Sequence, residues 1–318
     1  INMNVPFLKK YQPQKFDEFI IDGDYVKLLK TMVNMDNLNL LLIGNNGSGK
    51  TSLIEATIRE YYNLNTIPKQ NVLVINNLKD QGIQYYRNEV KIFSQTRSNI
   101  PFKKKIIVID DIDLINEQSQ QVFRNCIDKY SHNIHFLASC TNIQKVIDAL
   151  QSRCSIIKIK PFKKEYLNKI FNKIKKKEGI VIDKKAQDLI LNISNNSVRQ
   201  IINYLEKFKL LNMNIGPKKV KEICTNISFY EFEHYTDYWL KEKNLDKAVE
   251  KIFNIYNKGY SGMDILDNYF IFIKITDTIE EKIKYKIIKI ICEYIAIFHT
   301  IHENEIELVL FTNKLIKC

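Results

Sequence analysis

Few glycines punctuate this chain: nine among 318 residues. Its six cysteines, Cys126, Cys140, Cys154, Cys224, Cys292 and Cys318, include no C-x-x-C pair. That spacing signals neither a zinc ribbon nor a dithiol redox pair, and reduced thiols in a reducing compartment are the simplest reading. The first residues, Ile1-Asn2-Met3-Asn4, carry no signal-peptide pattern. No apolar run is long enough to span a bilayer. The greasiest, Ile287 to Phe298, is broken by Lys289 and Glu293 and reads as a core helix, so no membrane partner is expected. Internal repeats and a long disordered tail are also missing. What the chain has in excess is positive charge. Lys and Arg number 48 against 36 Asp and Glu, a net charge of +12. This favours a polyanionic partner, most simply nucleic acid. Apolar residues make up 45% and charged residues 26%, a soluble globular balance with room for a core in two or three domains.

Three of the nine glycines fall together. Gly44-Asn45-Asn46-Gly47-Ser48-Gly49-Lys50-Thr51 fits G-x-x-x-x-G-K-[ST], the phosphate-cradling P-loop. An apolar strand, Leu40-Leu41-Leu42-Ile43, leads in, and a helical stretch opening at Ser52 leads out. Glycine lets several backbone N–H groups converge on one phosphate, and the helix start adds partial positive charge. Lys50 is expected to reach the β- and γ-phosphates, and Thr51 to hold magnesium. The second half of such a site is Ile106-Ile107-Val108-Ile109-Asp110, a strand ending in a carboxylate. Asp110 is placed for the magnesium shell, through water. Asp111 stands where many such ATPases carry the carboxylate that polarises the attacking water. Alone, each signal has a bland counterpart, a Gly/Asn loop before a helix and an acidic turn after a strand. Together they point to ATP and Mg2+.

Short apolar runs at 39–43, 71–76, 105–109, 134–139 and 155–160 read as strands buried on both faces. Helical patterns lie between them: Ile83, Tyr86, Val90 and Phe93 share a face, as do Phe123, Cys126, Ile127 and Tyr130, and Ile143, Val146, Ile147 and Leu150. This alternation predicts an α/β fold with a parallel sheet. Pro161 ends it, and everything from 163 reads helical. Further helices are expected near 229–242, 245–257, 262–274, 280–302 and 304–316. The runs Lys103-Lys104-Lys105 and Lys175-Lys176-Lys177 read as solvated faces.

Residues 105–113, Lys-Ile-Ile-Val-Ile-Asp-Asp-Ile-Asp, resemble the acidic box of the AAA+ ATPases. Ser152-Arg153-Cys154 follows at the distance seen in the small subunits of replication factor C, the sliding-clamp loader. Lys10-Tyr11-Gln12-Pro13, Gly82-Ile83, Arg87-Asn88, Ser197-Val198-Arg199 and Gly259-Tyr260-Ser261-Gly262-Met263-Asp264-Ile265 resemble other stretches of that family, in order, over about residues 5–275. The resemblance implies three domains: a RecA-like ATPase core at 1–160, a helical lid at 161–226 and an all-α collar at 227–318. It implies a hetero-pentameric ring of clamp-loader subunits, with a sliding clamp and primer–template DNA as partners. The expected location is a DNA-replication compartment, the nucleus or a cytoplasmic replication site in a viral host cell. Tyr11 and Pro13 then belong to the nucleotide cleft and Arg199 is a lid arginine on the γ-phosphate. Arg153 acts in trans on a neighbour's ATP, where a permanently charged guanidinium suits phosphate oxygens. Arg87 and Lys91, one turn apart, and the weaker candidate Gln81 are implied DNA contacts.

Departures from the family pattern keep a second reading open, an assembly subunit that binds nucleotide without turning it over and mainly donates Arg153. Asp111 replaces a glutamate, a reach about 1.5 Å shorter. Thr141 stands where the family has its sensor asparagine, with Asn142 one place on; both are candidates for that role. Gln12 replaces an arginine.

Overall fold

The computed structural model describes residues 5–317 except 21–22, 76–82, 195, 212–213, 226, 277 and 301–303. Five strands, β1 (Leu40–Ile43), β2 (Val72–Ile75), β3 (Lys105–Ile109), β4 (Ile134–Cys140) and β5 (Ser155–Lys158), form one parallel sheet in the order β2-β3-β4-β1-β5. All five fall on the apolar runs of the sequence. Alternate residues feed two cores. Leu40, Leu42, Ile106, Val108 and Leu137 pack on one face with Leu53, Ile54 and Ile58 of the helix Lys50–Tyr62. Leu41, Ile107, Ile109, Phe136 and Ala138 pack on the other with Tyr86, Val90, Phe123 and Ile127. The central strands β1, β3 and β4 are buried on both sides and show no polar alternation, which is why their runs read as unbroken apolar stretches. The edge strands β2 and β5 depart from the expectation of burial on both faces, since each lacks a neighbour on one side and leaves Val74 and Ile156 exposed.

By packing, the chain divides into two units: residues 1–178 with 196–207, and 179–195 with 208–318. The stretch 161–226 is shared between them. The first unit holds the sheet, the helix Lys164–Glu178 and most of the helix Val198–Leu211. In the second, the helices Phe229–Leu240, Leu245–Tyr256, Gly262–Ile275, Glu281–Thr300 and Glu305–Ile316 surround an aromatic core of Phe232, Tyr235, Tyr269, Phe272 and Phe311. Its polar edges are satisfied: Tyr235 and Thr312 hydroxyls lie 2.9 Å apart, and Trp239 Nε1 donates to Tyr269 Oη at 3.1 Å. Ser261 and Asp264 cap the helix Gly262–Ile275 reciprocally, a physical reason for the Gly-Tyr-Ser-x-x-Asp spacing. Among the described residues, no helix is long and apolar enough to cross a membrane.

Two further expectations are corrected. Ile143, Val146, Ile147 and Leu150 do not share one helix. A single turn, Ile143–Lys145, and the helix Asp148–Gln151 are separated by extended backbone at Val146 and Ile147. Two glutamines hold this break open. Gln151 Nε2 donates to Val146 O at 2.8 Å, and Ile147 N donates to Gln120 Oε1 at 2.9 Å. Lys105 is not solvated. It starts β3 only 5% exposed, with its ammonium on the Thr96 hydroxyl and 4.4 Å above the Phe93 ring.

Candidate functional site: a nucleotide cleft

Because β1 sits beside β4, and β4 beside β3, three loops meet at the carboxyl ends of the central strands. This is the crevice where open parallel sheets take ligands. The P-loop leaves β1 and runs into the helix Lys50–Tyr62. Gly47 and Gly49 adopt φ of +76° and +89°, the left-handed region that favours glycine. Gly47 is required twice over, since a Cβ there would lie 2.4 Å from Ser197 Oγ. Lys50 is 6% exposed and folds back on the loop, donating to Gly44 O at 2.8 Å and Asn45 O at 3.4 Å. The Ser48 hydroxyl is buried with no partner among the described residues. A loop that encloses an ammonium, an orphan hydroxyl and a helix N-terminus fits a phosphate chain.

Asp110 ends β3 and accepts from Thr51 Oγ1 at 2.7 Å; its other oxygen accepts from Ser139 Oγ of β4. A hydroxyl and a carboxylate side by side are hard oxygen donors suited to Mg2+, which takes few protein ligands when phosphates supply others. No described group of three His, Cys, Asp or Glu side chains forms a separate metal cluster. Asp111 takes φ +52°, and its N–H donates to the same Ser139 Oγ at 3.1 Å. Burial and then the Asp110 charge raise its pKa, while Lys50 and Arg199 pull it back. Burial also works to raise the Asp113 pKa, but hydrogen bonds outweigh it and hold the carboxyl below its usual range. Its Oδ2 accepts from Thr141 Oγ1 at 2.6 Å, Thr141 N at 3.1 Å and Asn142 N at 3.0 Å. The Thr141 hydroxyl is thus spent on Asp113. The Asn142 side chain caps the next turn, accepting from Gln144 N at 2.9 Å. Sequence reading missed Ser139, although a lone serine in the run Phe136-Leu137-Ala138-Ser139-Cys140 is a visible signal.

A cleft of about 420 Å3 lies beside the P-loop and Asp110. Gly47, Gly49, Thr51, Ser52 and Asp110 line it, with Tyr11, Pro13 and Arg199 brought in from distant sequence. Its apolar part comes from Leu8, Phe19, Ile20, Phe162, Ile174 and Val198. Lys173 of the helix Lys164–Glu178 is a further cation on the cleft, one that sequence reading did not single out. The segment at residues 7–12 is strapped in place. Glu178 accepts from Tyr11 Oη and from Lys10 Nζ, the latter at 2.6 Å. Phe7 N donates to Glu206 Oε1 at 3.1 Å, and Gln12 Nε2 to Glu55 Oε2 at 3.0 Å. Gln12 therefore ties the strap to the P-loop helix.

Arg153 does not line this cleft. It sits just before β5, where Nε donates to Asp128 Oδ1 at 2.6 Å and Nη1 to Ala149 O at 2.7 Å. Arg87 and Lys91 are exposed on the helix Ile83–Gln95 and line a groove against the helix Glu117–Tyr130. Phe123 and Ile127 of that second helix are core residues. Gln81 lies outside the described residues.

Residues 40–162 match the family model for the ATPase family associated with various cellular activities (AAA), and residues 236–295 match the replication factor C C-terminal domain. A replication factor C small subunit of Methanococcus vannielii is 31% identical over 84% of this chain and 85% of its own length. A putative replication factor C small subunit of Acanthamoeba polyphaga mimivirus is 28% identical over 91% of this chain and 90% of its own length. Among solved structures, a DNA polymerase III gamma subunit-related protein of Thermotoga maritima superposes with a TM-score of 0.56 at 12% identity. It covers 91% of this chain and 98% of that one. The RuvB Holliday junction branch migration motor of the same organism scores 0.54 at 16% identity, covering 77% and 85%. At such identities the solved structures speak for the fold alone.

Proposed function

This chain belongs to the family of replication factor C small subunits and is a clamp-loader ATPase subunit, and on that premise we propose that it works as one ATP site in a ring of sibling subunits, driven by primer–template DNA and a sliding clamp. The carrying observation is the split between its two kinds of functional residue. Thr51, Asp110 and Arg199 line one cleft, and Lys50 and Arg199 act on Asp111 beside it, whereas Arg153 does not line that cleft and is held by Asp128 and Ala149.

In this reading Lys50 exchanges its loop carbonyls for phosphate oxygens, and Gly47 and Gly49 hold backbone N–H groups toward the same charge. Magnesium held at Thr51 and Asp110 would supply charge neutralisation across the phosphates. Asp111 is the group nearest to a water-orienting role, its backbone N–H held by Ser139 beside Asp110. Arg199 approaches the phosphates from the lid helix. Arg153 completes the neighbouring subunit's site with a charge that never titrates.

The second reading from the sequence, a scaffold that binds but does not hydrolyse nucleotide, is not favoured. Asp111 has its backbone fixed by Ser139 and is in electrostatic reach of Lys50 and Arg199, which is the equipment of a working site. The test is reconstitution with sibling subunits, a clamp and a primer–template. Phosphate release should rise when clamp and DNA are added together, and Lys50→Ala should remove this chain's share. Failure to assemble with siblings, or release indifferent to DNA, would overturn the proposal.

A further inference from the structure

Ion pairs that solvent reaches add little to stability, yet separate pieces of the chain converge on one partly exposed arginine. Arg153 lies just before β5, and its backbone is set by the turn that closes the helix Asp148–Gln151. Ser152 N donates to Asp148 O at 3.0 Å, and Arg153 N to Leu150 O at 3.1 Å. The side chain is 29% exposed and is held at two of its nitrogens. Nε donates to Asp128 Oδ1 at 2.6 Å and Nη1 to Ala149 O at 2.7 Å. A longer contact, 3.4 Å, joins Nη1 to Ser152 Oγ. Among the described residues Nη2 has no partner.

Two bonds on different nitrogens fix a planar guanidinium in direction as well as in place, whereas one bond leaves it free to turn. The two anchors are unequal. Ala149 is four residues back in the same turn and holds the arginine locally. Asp128 comes from the last turn of the helix Glu117–Tyr130, 25 residues earlier, and that helix is seated on the sheet through Phe123, Cys126 and Ile127. Asp128 therefore ties the direction of Arg153 to the packed body of the first unit. The carboxylate is itself kept charged. The hydrogen bond from Arg153, which outweighs burial, and then the charges of Arg153 and Arg124 hold its pKa below the usual range. Arg124, one turn back on the same helix, places Nε 3.4 Å from the other oxygen, Oδ2.

We propose that Asp128 is the positioning residue of the trans-acting arginine: it holds Arg153 at Nε and so presents Nη2 to the phosphate oxygens of a neighbouring subunit's ATP. This rests on the reading that Arg153 serves a neighbour, and adds what aims it. A long arginine side chain with nothing at Nε samples many rotamers, and misplacement of about 1 Å costs a reaction on the order of 10²-fold. The opposite role is a latch that Arg153 must leave before it can act. A latch would occupy the nitrogens that the phosphate needs, whereas the bonds to Asp128 and Ala149 spare Nη2 and can persist while it makes its contact.

The test follows single-turnover phosphate release in the complex reconstituted with sibling subunits, a clamp and a primer–template. Asp128→Ala should slow release at one neighbouring site by about 10- to 100-fold. ATP binding by this chain, assembly of the complex and the thermal melt should stay at wild type, which a loss of fold would not allow. Asp128→Asn, whose amide oxygen still accepts from Nε, should recover most of the rate. In the Arg153→Ala background, Asp128→Ala should add nothing, because no guanidinium is left to aim. Faster release in Asp128→Ala would make Asp128 a latch and overturn the proposal. Unchanged release, or the same slowing with and without Arg153, would overturn it as well, while the trans role of Arg153 would stand on the slowing seen in Arg153→Ala alone. If Arg153→Ala itself leaves release unchanged at every site, the reading beneath the proposal fails with it.

Discussion

At the scale of single residues, two positions show how far a side chain's role depends on partners remote in sequence. Gly47 is conspicuous in the sequence as part of a glycine-rich loop, but beside its positive φ a second reason for its missing side chain is Ser197, 150 residues away. An alanine there would meet strained backbone, about 1–2 kcal/mol, and the Ser197 hydroxyl as well. Gly47→Ala is expected to weaken ATP binding about tenfold, and adding Ser197→Ala should recover the contact part but not the backbone part. Equilibrium titration with a labelled nucleotide checks both. Asp36 and His135 form the other case. His135 is 2% exposed; burial, aided by Lys103 and Lys104, lowers its pKa despite Asp36. Its Nε2 lies 3.0 Å from Asp36 Oδ1, which also accepts from Tyr61 Oη at 2.7 Å, while Lys104 Nζ stands 3.3 Å from Oδ2. Although burial opposes it, this company holds the Asp36 carboxyl below its usual pKa. Unfolded, the histidine takes a proton near pH 6.5; folded, it resists, so stability is lost as pH falls below about 6.5, and further as Asp36 protonates. The melting temperature should drop between pH 7.5 and 5.5, with a smaller drop in His135→Gln, whose amide still donates but does not titrate.

Elements were legible in proportion to how local their causes are. The five strands and the five C-terminal helices are fixed by apolar periodicity, which any window of sequence contains, and they fall where the pattern puts them. The break at Val146 and Ile147 was not legible, because beside the local bond from Gln151 it is held by the side chain of Gln120, which comes from another helix. The candidate site divides the same way. P-loop, acidic box and lid arginine are motifs and were readable, whereas Ser139, Lys173 and Glu178 owe their place in the cleft to tertiary packing. Glu178 carries the clearest consequence for an element. It holds the segment at residues 7–12 through Tyr11 and Lys10, and that segment is a wall of the cleft. Glu178→Ala should cost nucleotide binding about 1.5–3 kcal/mol, the range for a lost hydrogen bond to a charged group. Glu178→Gln, which still accepts from Tyr11, should recover most of it. Isothermal titration with ATP is the check, and equal losses in both variants would mean the strap acts through charge alone.

At the scale of the molecule, the account rests on one chain serving two sites: its own through Lys50 and a neighbour's through Arg153. The +12 charge, the parallel sheet and the helical second unit are all compatible with a self-contained ATPase as well. What separates the two is the place of the arginine, outside the cleft and tethered by Asp128 and Ala149. The most direct measurement pairs nucleotide binding with turnover for Lys50→Ala and Arg153→Ala in the reconstituted complex. The account predicts that Lys50→Ala abolishes ATP binding by this chain. Arg153→Ala should leave that binding intact yet slow single-turnover phosphate release at one neighbouring site by about 10³-fold or more. Loss of this chain's own ATP in Arg153→Ala, or unchanged release at every site, would contradict it.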